Sequence, residues 1–132
     1  QNLQLCEQRE KIIQETLTLL PEITNTIQYE TGIPETCYIP NNEGLLHDTP
    51  PEQWQAYNKY RKDMDLFDNK IRSIPHNQNT VDALEAFYDA ARAFERKCGE
   101  RDEEYRQLFR NLTNTQKHLI ENLVLSREQC FK

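Results

Sequence analysis

The chain has 132 residues, with 16 Lys and Arg against 22 Asp and Glu and a formal net charge of −6. This length is typical of one domain, which we place at residues 1–132, and it can bury a core without a metal ion. The acidic balance disfavours nucleic acid as a partner, and no apolar run approaches the roughly 20 residues of a membrane span. With only 3 glycines, the composition favours helices over a turn-rich β-sandwich.

The first predicted helix runs over Leu3–Leu20, where apolar side chains recur at helical spacing. Pro21 either ends this helix or kinks it, because proline lacks a backbone donor. Apolar and polar residues then alternate over Ile27–Ile33, which predicts a short strand. The proline-rich stretch 34–51 that follows is typical of a loop.

A second helix is predicted from the run Thr49-Pro50-Pro51-Glu52, which has the residues of a capping box and a proline suited to the first helical position. Large apolar side chains then recur every three or four residues until Pro75, which ends the pattern. They are Trp54, Tyr57, Tyr60, Met64, Phe67, Ile71 and Ile74.

Two further helices complete the predicted elements. Asn79 or Thr80 is suited to cap the third, which we expect to reach Cys98, with Gly99 as its stop. The fourth is predicted over Tyr105–Cys130. Along this helix the apolar side chains recur mostly every three or four residues.

Helices with a single apolar stripe bury those stripes together as an all-α four-helix bundle. The short connections on either side of the third helix force its neighbours to run antiparallel to it. About 30 residues separate Leu20 from Pro51, which is enough to cross the full length of a helix. We therefore expect a long first crossover loop, with the first two helices parallel.

The four cysteines are Cys6, Cys37, Cys98 and Cys130, and no two of them form a CxxC pair. This spacing favours two long-range disulfides over a zinc or redox site, with buried free thiols as the alternative. If the first two helices were parallel, Cys6 would lie near Cys98, and Cys37 would pair with Cys130. If they were antiparallel, Cys6 would lie near Cys130, and Cys37 would pair with Cys98.

The run Asn111-Leu112-Thr113 is an N-glycosylation sequon, with Asn111 as the acceptor. The sequence begins at Gln1 rather than at Met, as expected after removal of a signal peptide. Together with the even number of cysteines, these features favour a secreted, extracellular glycoprotein.

Several stretches carry a resemblance to a known family: Cys6, Leu20-Pro21, Thr26-Ile27-Gln28-Tyr29, Ile33-Pro34-Glu35-Thr36-Cys37-Tyr38-Ile39, Cys98, and Asn111-Leu112-Thr113 with the run into Cys130. They resemble the short-chain four-helix cytokines of the stem cell factor and macrophage colony-stimulating factor type, which act on class III receptor tyrosine kinases. The resemblance implies receptor binding, a crossover topology and the pairs Cys6–Cys98 and Cys37–Cys130. That family has a second long connection where only Gly99, Glu100 and Arg101 stand here.

Catalysis and metal binding are not indicated by the residue pattern. The three histidines, His47, His76 and His118, fall in no frame typical of a metal or catalytic site. The chain also has no glycine-rich phosphate loop, nucleophile elbow or calcium-loop spacing. We expect no enzyme activity, no metal and no cofactor.

Protein binding is therefore the favoured function, with a cell-surface receptor as the partner, in the manner of a cytokine or a mimic of one. We expect contacts at Asp63, Asp65, Asp68 and Lys70 and in the loop from Tyr38 to His47. The sequence is also compatible with a homodimer. The alternative is an extracellular carrier of small hydrophobic ligands, because bulky aromatic residues can line a cavity between helices; they are Trp54, Tyr57, Tyr60, Phe67, Phe87, Tyr88 and Phe94.

Overall fold

The computed structural model describes residues 3–25, 51–95 and 102–129. These residues form four α-helices: α1 (Leu3–Asn25), α2 (Pro51–Arg72), α3 (Gln78–Glu95) and α4 (Glu103–Gln129). The predicted all-α class is confirmed, since the described ranges hold helices and no strand. The strand predicted over Ile27–Ile33 lies outside those ranges. None of the four helices is both long and apolar enough to span a membrane.

Helix α1 continues through Pro21 and ends at Asn25. The residues on both sides of the proline explain why the helix does not stop there. Leu20 and Ile23 are completely or almost completely buried, so continuing the helix keeps two large side chains in the core. Pro21 itself is exposed, where the backbone carbonyl that it leaves without an amide partner can be met by solvent.

The start of α3 differs from the predicted cap at Asn79 or Thr80. Asn77 caps the helix, because its side-chain Oδ1 accepts a hydrogen bond from the Thr80 backbone N–H at 2.9 Å. Thr80 is buried in the first turn instead. In the same way Asp102 caps α4, accepting from the backbone N–H of Tyr105 at 3.0 Å.

The core is formed by the apolar stripes of all four helices. Its largest completely or almost completely buried members are Tyr60, Phe67, Phe87, Phe94, Ile13, Leu20, Ile23, Ile71, Leu112 and Leu119. Between α2 and α3 the space is filled by aromatic rings, with Phe67 edge-on to Phe87 and Tyr88 at centroid distances of 6.2 and 6.3 Å. This filled interior leaves the outer faces of the helices as the surface available for contacts.

The direction of α1 contradicts the predicted crossover. Arg9, near the start of α1, donates a hydrogen bond to the carbonyl of Pro75, just beyond the end of α2, at 2.6 Å. Further along α1, Glu15 is paired with Lys70, which lies earlier in α2. Because ascending positions on one helix meet descending positions on the other, α1 and α2 are antiparallel.

The contacts between α1 and α4 show that α1 also runs antiparallel to α4. Arg9 donates to the Ser126 hydroxyl, and Thr24 donates to the Gln116 side chain, so these two helices are also antiparallel. Asp68 of α2 meets Tyr88 of α3. About two turns earlier in α2, Tyr60 meets Glu95, which lies later in α3. The bundle therefore runs up, down, up, down.

The predicted parallel arrangement was wrong because chain length sets only the greatest distance that a connection can cross. Residues 26–50 are long enough to span a helix, but nothing in their length requires them to do so. With α1 and α2 antiparallel, Asn25 and Pro51 lie at the same end of the bundle. The choice is made instead by contacts between residues far apart in the sequence, such as Arg9 with Pro75.

Candidate interaction surface

A groove runs between the outer faces of α1 and α2. At one end it is a cleft of about 400 Å³ whose walls include Leu5, Ile12, Ile74 and Pro75. It continues along the two helices past Lys11, Glu15, Asn69 and Lys70, and Gln8, Ile12 and Ser73 line both parts. We call this continuous feature the α1–α2 groove.

Two exposed large hydrophobic side chains lie at or beside this groove: Leu5 is part of the cleft wall, and Leu66 lies on the neighbouring surface of α2. Leu5 is 57% exposed, and Leu66 is 45% exposed. Leu66 precedes Lys70 by one helical turn, so both lie on the side of α2 that faces α1. Ile12 and Ile74 are half-buried in the cleft. The groove thus has an apolar floor, one exposed leucine in its wall and a second exposed leucine on the adjacent surface of α2.

The rim of the groove carries charges that bind α1 to α2. Lys70 forms an ion pair with Glu15. The hydrogen bond from Lys70 lowers the pKa of Glu15, which keeps this carboxylate ionised in mildly acidic solution. Neighbouring Lys11 lowers the Glu15 pKa further. The rim is therefore polar, with both signs of charge.

A second, more polar groove lies between α2 and α3. Its centre is the hydrogen bond from the Tyr88 hydroxyl to Asp68 Oδ1 at 2.5 Å. Arg72 donates to the same oxygen at 2.7 Å, and this bond raises the pKa of Arg72. Burial raises the pKa of Tyr88, as does its bond to Asp68. Asp68 thus joins α2 to α3.

The four contact residues predicted on α2 do not share one face. Lys70 faces α1, and Asp63 lies on the same side, accepting from Lys59 at 3.0 Å. Asp65 and Asp68 line the groove towards α3 instead. The other two predicted contact residues, Tyr38 and His47, lie outside the described residues.

A polar corner closes the end of the bundle where α1 begins. Arg9 reaches the Pro75 carbonyl and Ser126 there, and burial lowers the pKa of its guanidinium. His76 Nε2 lies 2.6 Å from the Ile71 carbonyl at the end of α2. Because a carbonyl oxygen only accepts, this nitrogen must be the donor.

Burial lowers the pKa of His76 from its ordinary value of 6.5, and the charge of Arg9 lowers it further, against the raising effect of the Ile71 bond. Within the described residues, His76 Nδ1 is buried without a hydrogen-bond partner, and so is the hydroxyl of Thr80. The neutral ring fits this corner.

Where its side chains are described, the predicted aromatic set lies in the core or packs against it. Tyr60, Phe67, Phe87 and Phe94 are buried, and Tyr88 is half-buried between α2 and α3. The side chains of Trp54 and Tyr57 are not among those described. Among the described rings, Phe67, Phe87 and Tyr88 pack against one another.

The remaining predicted sites are only partly described. Cys6 is 7% exposed in α1, whereas Cys37, Cys98 and Cys130 lie outside the described residues. Asn111 is exposed on α4, as a glycan acceptor must be. In the described part of the chain, no group of three or more His, Cys, Asp or Glu side chains is placed to hold a metal ion.

Sequence reasoning missed Arg9 and the exposed leucines. Arg9 follows Cys6 by three positions and precedes Ile13 by four, so it lies on the apolar stripe of α1. A charged residue on such a stripe is a sign of a specific partner. Leu5 and Leu66 carry a weaker sign, since single exposed leucines are common on protein surfaces.

Comparison with known protein families, with curated proteins and with solved structures finds no match to this chain.

Proposed function

We propose that this chain is a secreted, disulfide-bonded helical glycoprotein that binds a protein partner, namely a cell-surface receptor, in the manner of a cytokine or a mimic of one. The observation that carries the proposal is the α1–α2 groove, whose apolar cleft has exposed Leu5 in its wall, with exposed Leu66 on the α1-facing side of α2. When a partner covers exposed leucines, the burial of their apolar surface contributes favourably to the free energy of binding.

The composition of the groove supports a protein-binding role. Such surfaces combine an apolar centre, which loses its water on binding, with a polar rim. Here Ile12 and Ile74 supply the centre, and Lys11, Glu15 and Lys70 supply the rim. The cleft lies at the surface, between helices whose positions are fixed by the Lys70–Glu15 pair and by Arg9.

The sequon position is compatible with this use of the groove. Asn111 is exposed on α4, and α4 contacts α1 through Gln116 and Arg127. Asn111 precedes Gln116 by five positions, about 140° around the helix, so a glycan on Asn111 projects away from α1. Secretion and glycosylation thus leave the groove open to a receptor.

The resemblance to short-chain cytokines contributes the class of function but not the arrangement of the helices. It implies a crossover, whereas α1 and α2 are antiparallel. We therefore locate the receptor contact from the groove on this chain.

Cell binding by the fluorescently labelled, secreted protein tests the proposal. We expect saturable binding to cells of the source organism, displaced by excess unlabelled protein and lost after the cell surface is treated with trypsin. The double substitution Leu5→Asp with Leu66→Asp should weaken binding at least about tenfold, because residues that become buried at the centre of an interface contribute most of the binding energy.

Leu125→Asp is the matched control. Leu125 is 55% exposed, close to the 57% of Leu5, and it lies two positions before Arg127 on α4, which faces α1. Two helical positions turn the side chain by about 200°, so this substitution should leave binding unchanged. Equal losses from both variants, or binding that survives trypsin, would contradict the proposal.

The carrier alternative is an outcome of a parallel titration. An apolar fluorescent probe should show no stoichiometric uptake by the folded protein, since the described aromatic side chains fill the interior. Uptake of one probe molecule per chain, together with an absence of cell binding, would replace receptor binding by ligand transport.

A further inference from the structure

The directions of the helices sort the cysteines between the two ends of the bundle. Arg9, Pro75 and Ser126 meet at one end, which we call the Arg9 end. The end of α3 meets the start of α4 at the opposite end, where the rings of Phe94 and Tyr105 are 5.3 Å apart. Cys6 precedes Arg9 by less than one turn of α1 and so belongs to the Arg9 end.

Covalent geometry limits where two of the other cysteines can lie. Cys98 follows Glu95, the last residue of α3, by three positions, so their Cα atoms are at most about 11 Å apart. Cys130 directly follows Gln129, the last residue of α4, and lies within about 4 Å of it. Cys98 is therefore held near the opposite end, and Cys130 near the Arg9 end.

The length of the bundle separates these two groups. From Tyr105 to Ser126, α4 rises about 31 Å. Even with the full reach of its connection to Glu95, Cys98 stays more than about 10 Å from Cys6 and from Cys130. Cα atoms joined by a disulfide lie no more than about 7 Å apart. Cys98 can therefore bond to neither of these two cysteines.

We infer that Cys6 is bonded to Cys130, which leaves Cys37 to bond with Cys98. Four cysteines allow three pairings. Each of the other two pairings would require Cys98 to bond with Cys6 or Cys130 at the Arg9 end of the bundle. Cys6 is not a free thiol, and it is 7% exposed, as suits a bridged sulfur. This pairing replaces the pair Cys6–Cys98 that a parallel α1 would have given.

The bridge closes the chain on itself at the Arg9 end. Its formation removes two protons and two electrons from the two thiols, and a disulfide such as oxidised glutathione takes them up and leaves as two thiols. The bond then holds the start of α1 beside the end of α4, where Arg9 already binds Ser126. The inference depends on the fold and not on the proposed receptor.

Peptide mapping of the secreted protein without reduction tests the inference. Thiols are first blocked at acidic pH, and the protein is then digested and its linked peptides are identified by mass. We expect the Cys6 peptide to be joined to the Cys130 peptide. A Cys6 peptide joined to that of Cys98 or Cys37, or four blocked cysteines, would overturn the inference.

Paired substitutions give a second readout, in which free thiols are counted after the secreted variants are unfolded in denaturant so that buried thiols are also detected. Cys6→Ser with Cys130→Ser should show no free thiol after secretion, because it removes one complete bridge. The matched variant, Cys6→Ser with Cys98→Ser, removes one cysteine from each bridge and should show two free thiols per chain or disulfide-linked dimers. The opposite result would overturn the pairing.

Discussion

Arg9 and Pro75 are 66 positions apart in the sequence, yet the Arg9 guanidinium donates to the Pro75 carbonyl at 2.6 Å. The same guanidinium binds the hydroxyl of Ser126 on α4, which is 5% exposed. One side chain near the start of α1 therefore joins three parts of the chain. This contact fixes the direction of α1 in the bundle.

Arg9→Ala should lower the free energy of unfolding by about 1–3 kcal/mol, because it removes charge-assisted hydrogen bonds and leaves a buried hydroxyl without its partner. Unfolding in urea, followed by circular dichroism, measures the change. Lys11→Ala is the control, since Lys11 is exposed in the same helix, and its effect should stay within about 0.5 kcal/mol. Equal effects would show that the Arg9 contact is not structural.

Phe67→Ala should cost about 3–5 kcal/mol of stability, as is usual when a large aromatic side chain is removed from a core. Phe67 is fully buried and lies edge-on to Phe87 and Tyr88. The neighbouring substitution Leu66→Ala should cost much less, because Leu66 is 45% exposed. A Phe67 variant as stable as the Leu66 variant would disprove the packing of α2 against α3.

The core stripes were the part of the fold that the sequence predicted best. Phe67, Phe87 and Leu119 each lie at helical spacing from the apolar residues of their own helix, and this periodicity depends only on neighbours within one helix. The direction of α1 was not predictable in this way, since it depends on Arg9 with Pro75, a contact between distant residues. Asp68 was predicted as a partner contact, but its bond to Tyr88 depends on how α2 faces α3.

Tyr88→Phe tests the role of Asp68 in joining α2 to α3. Loss of the hydroxyl should lower stability by about 1–3 kcal/mol, because the acceptor is a charged group in a partly buried site. Asp68→Asn should also be destabilising, whereas Asp65→Asn, at an exposed position on the same side of α2, should be nearly neutral. If both Asp variants were neutral, Asp68 would be free to act as a surface contact.

Stability should fall in mild acid through His76. Because folding lowers its pKa from 6.5, the unfolded chain takes up a proton more readily than the folded one as the pH drops. The contribution of His76 is thus complete above about pH 6.5 and is lost as the pH falls towards the lower pKa of the folded protein.

Unfolding midpoints measured between about pH 7 and pH 5 check this expectation. His76→Gln keeps a donor for the Ile71 carbonyl and should flatten the decline. His118→Gln, at an exposed position on α4, should retain the decline of the unmodified protein. A His76→Gln profile identical to that of the unmodified protein would rule out His76 as its source.

Asn111 should carry one N-linked glycan when the chain is secreted from eukaryotic cells. Its side chain is exposed, so the folded bundle can accommodate the sugar. Treatment with peptide N-glycosidase should lower the mass, and Thr113→Ala, which destroys the sequon, should abolish that shift. Asn114→Gln, at another exposed asparagine on α4, is the control and should keep the glycan.

The antiparallel arrangement of α1 and α2 underlies both the groove and the disulfide pairing, and photo-cross-linking from position 8 tests it most directly. Gln8 lines the groove together with Ser73, so benzoylphenylalanine placed there should cross-link within the chain to the peptide that contains Ser73, Ile74 and Pro75. A cross-link to the start of α2 near Gln55 would contradict the arrangement.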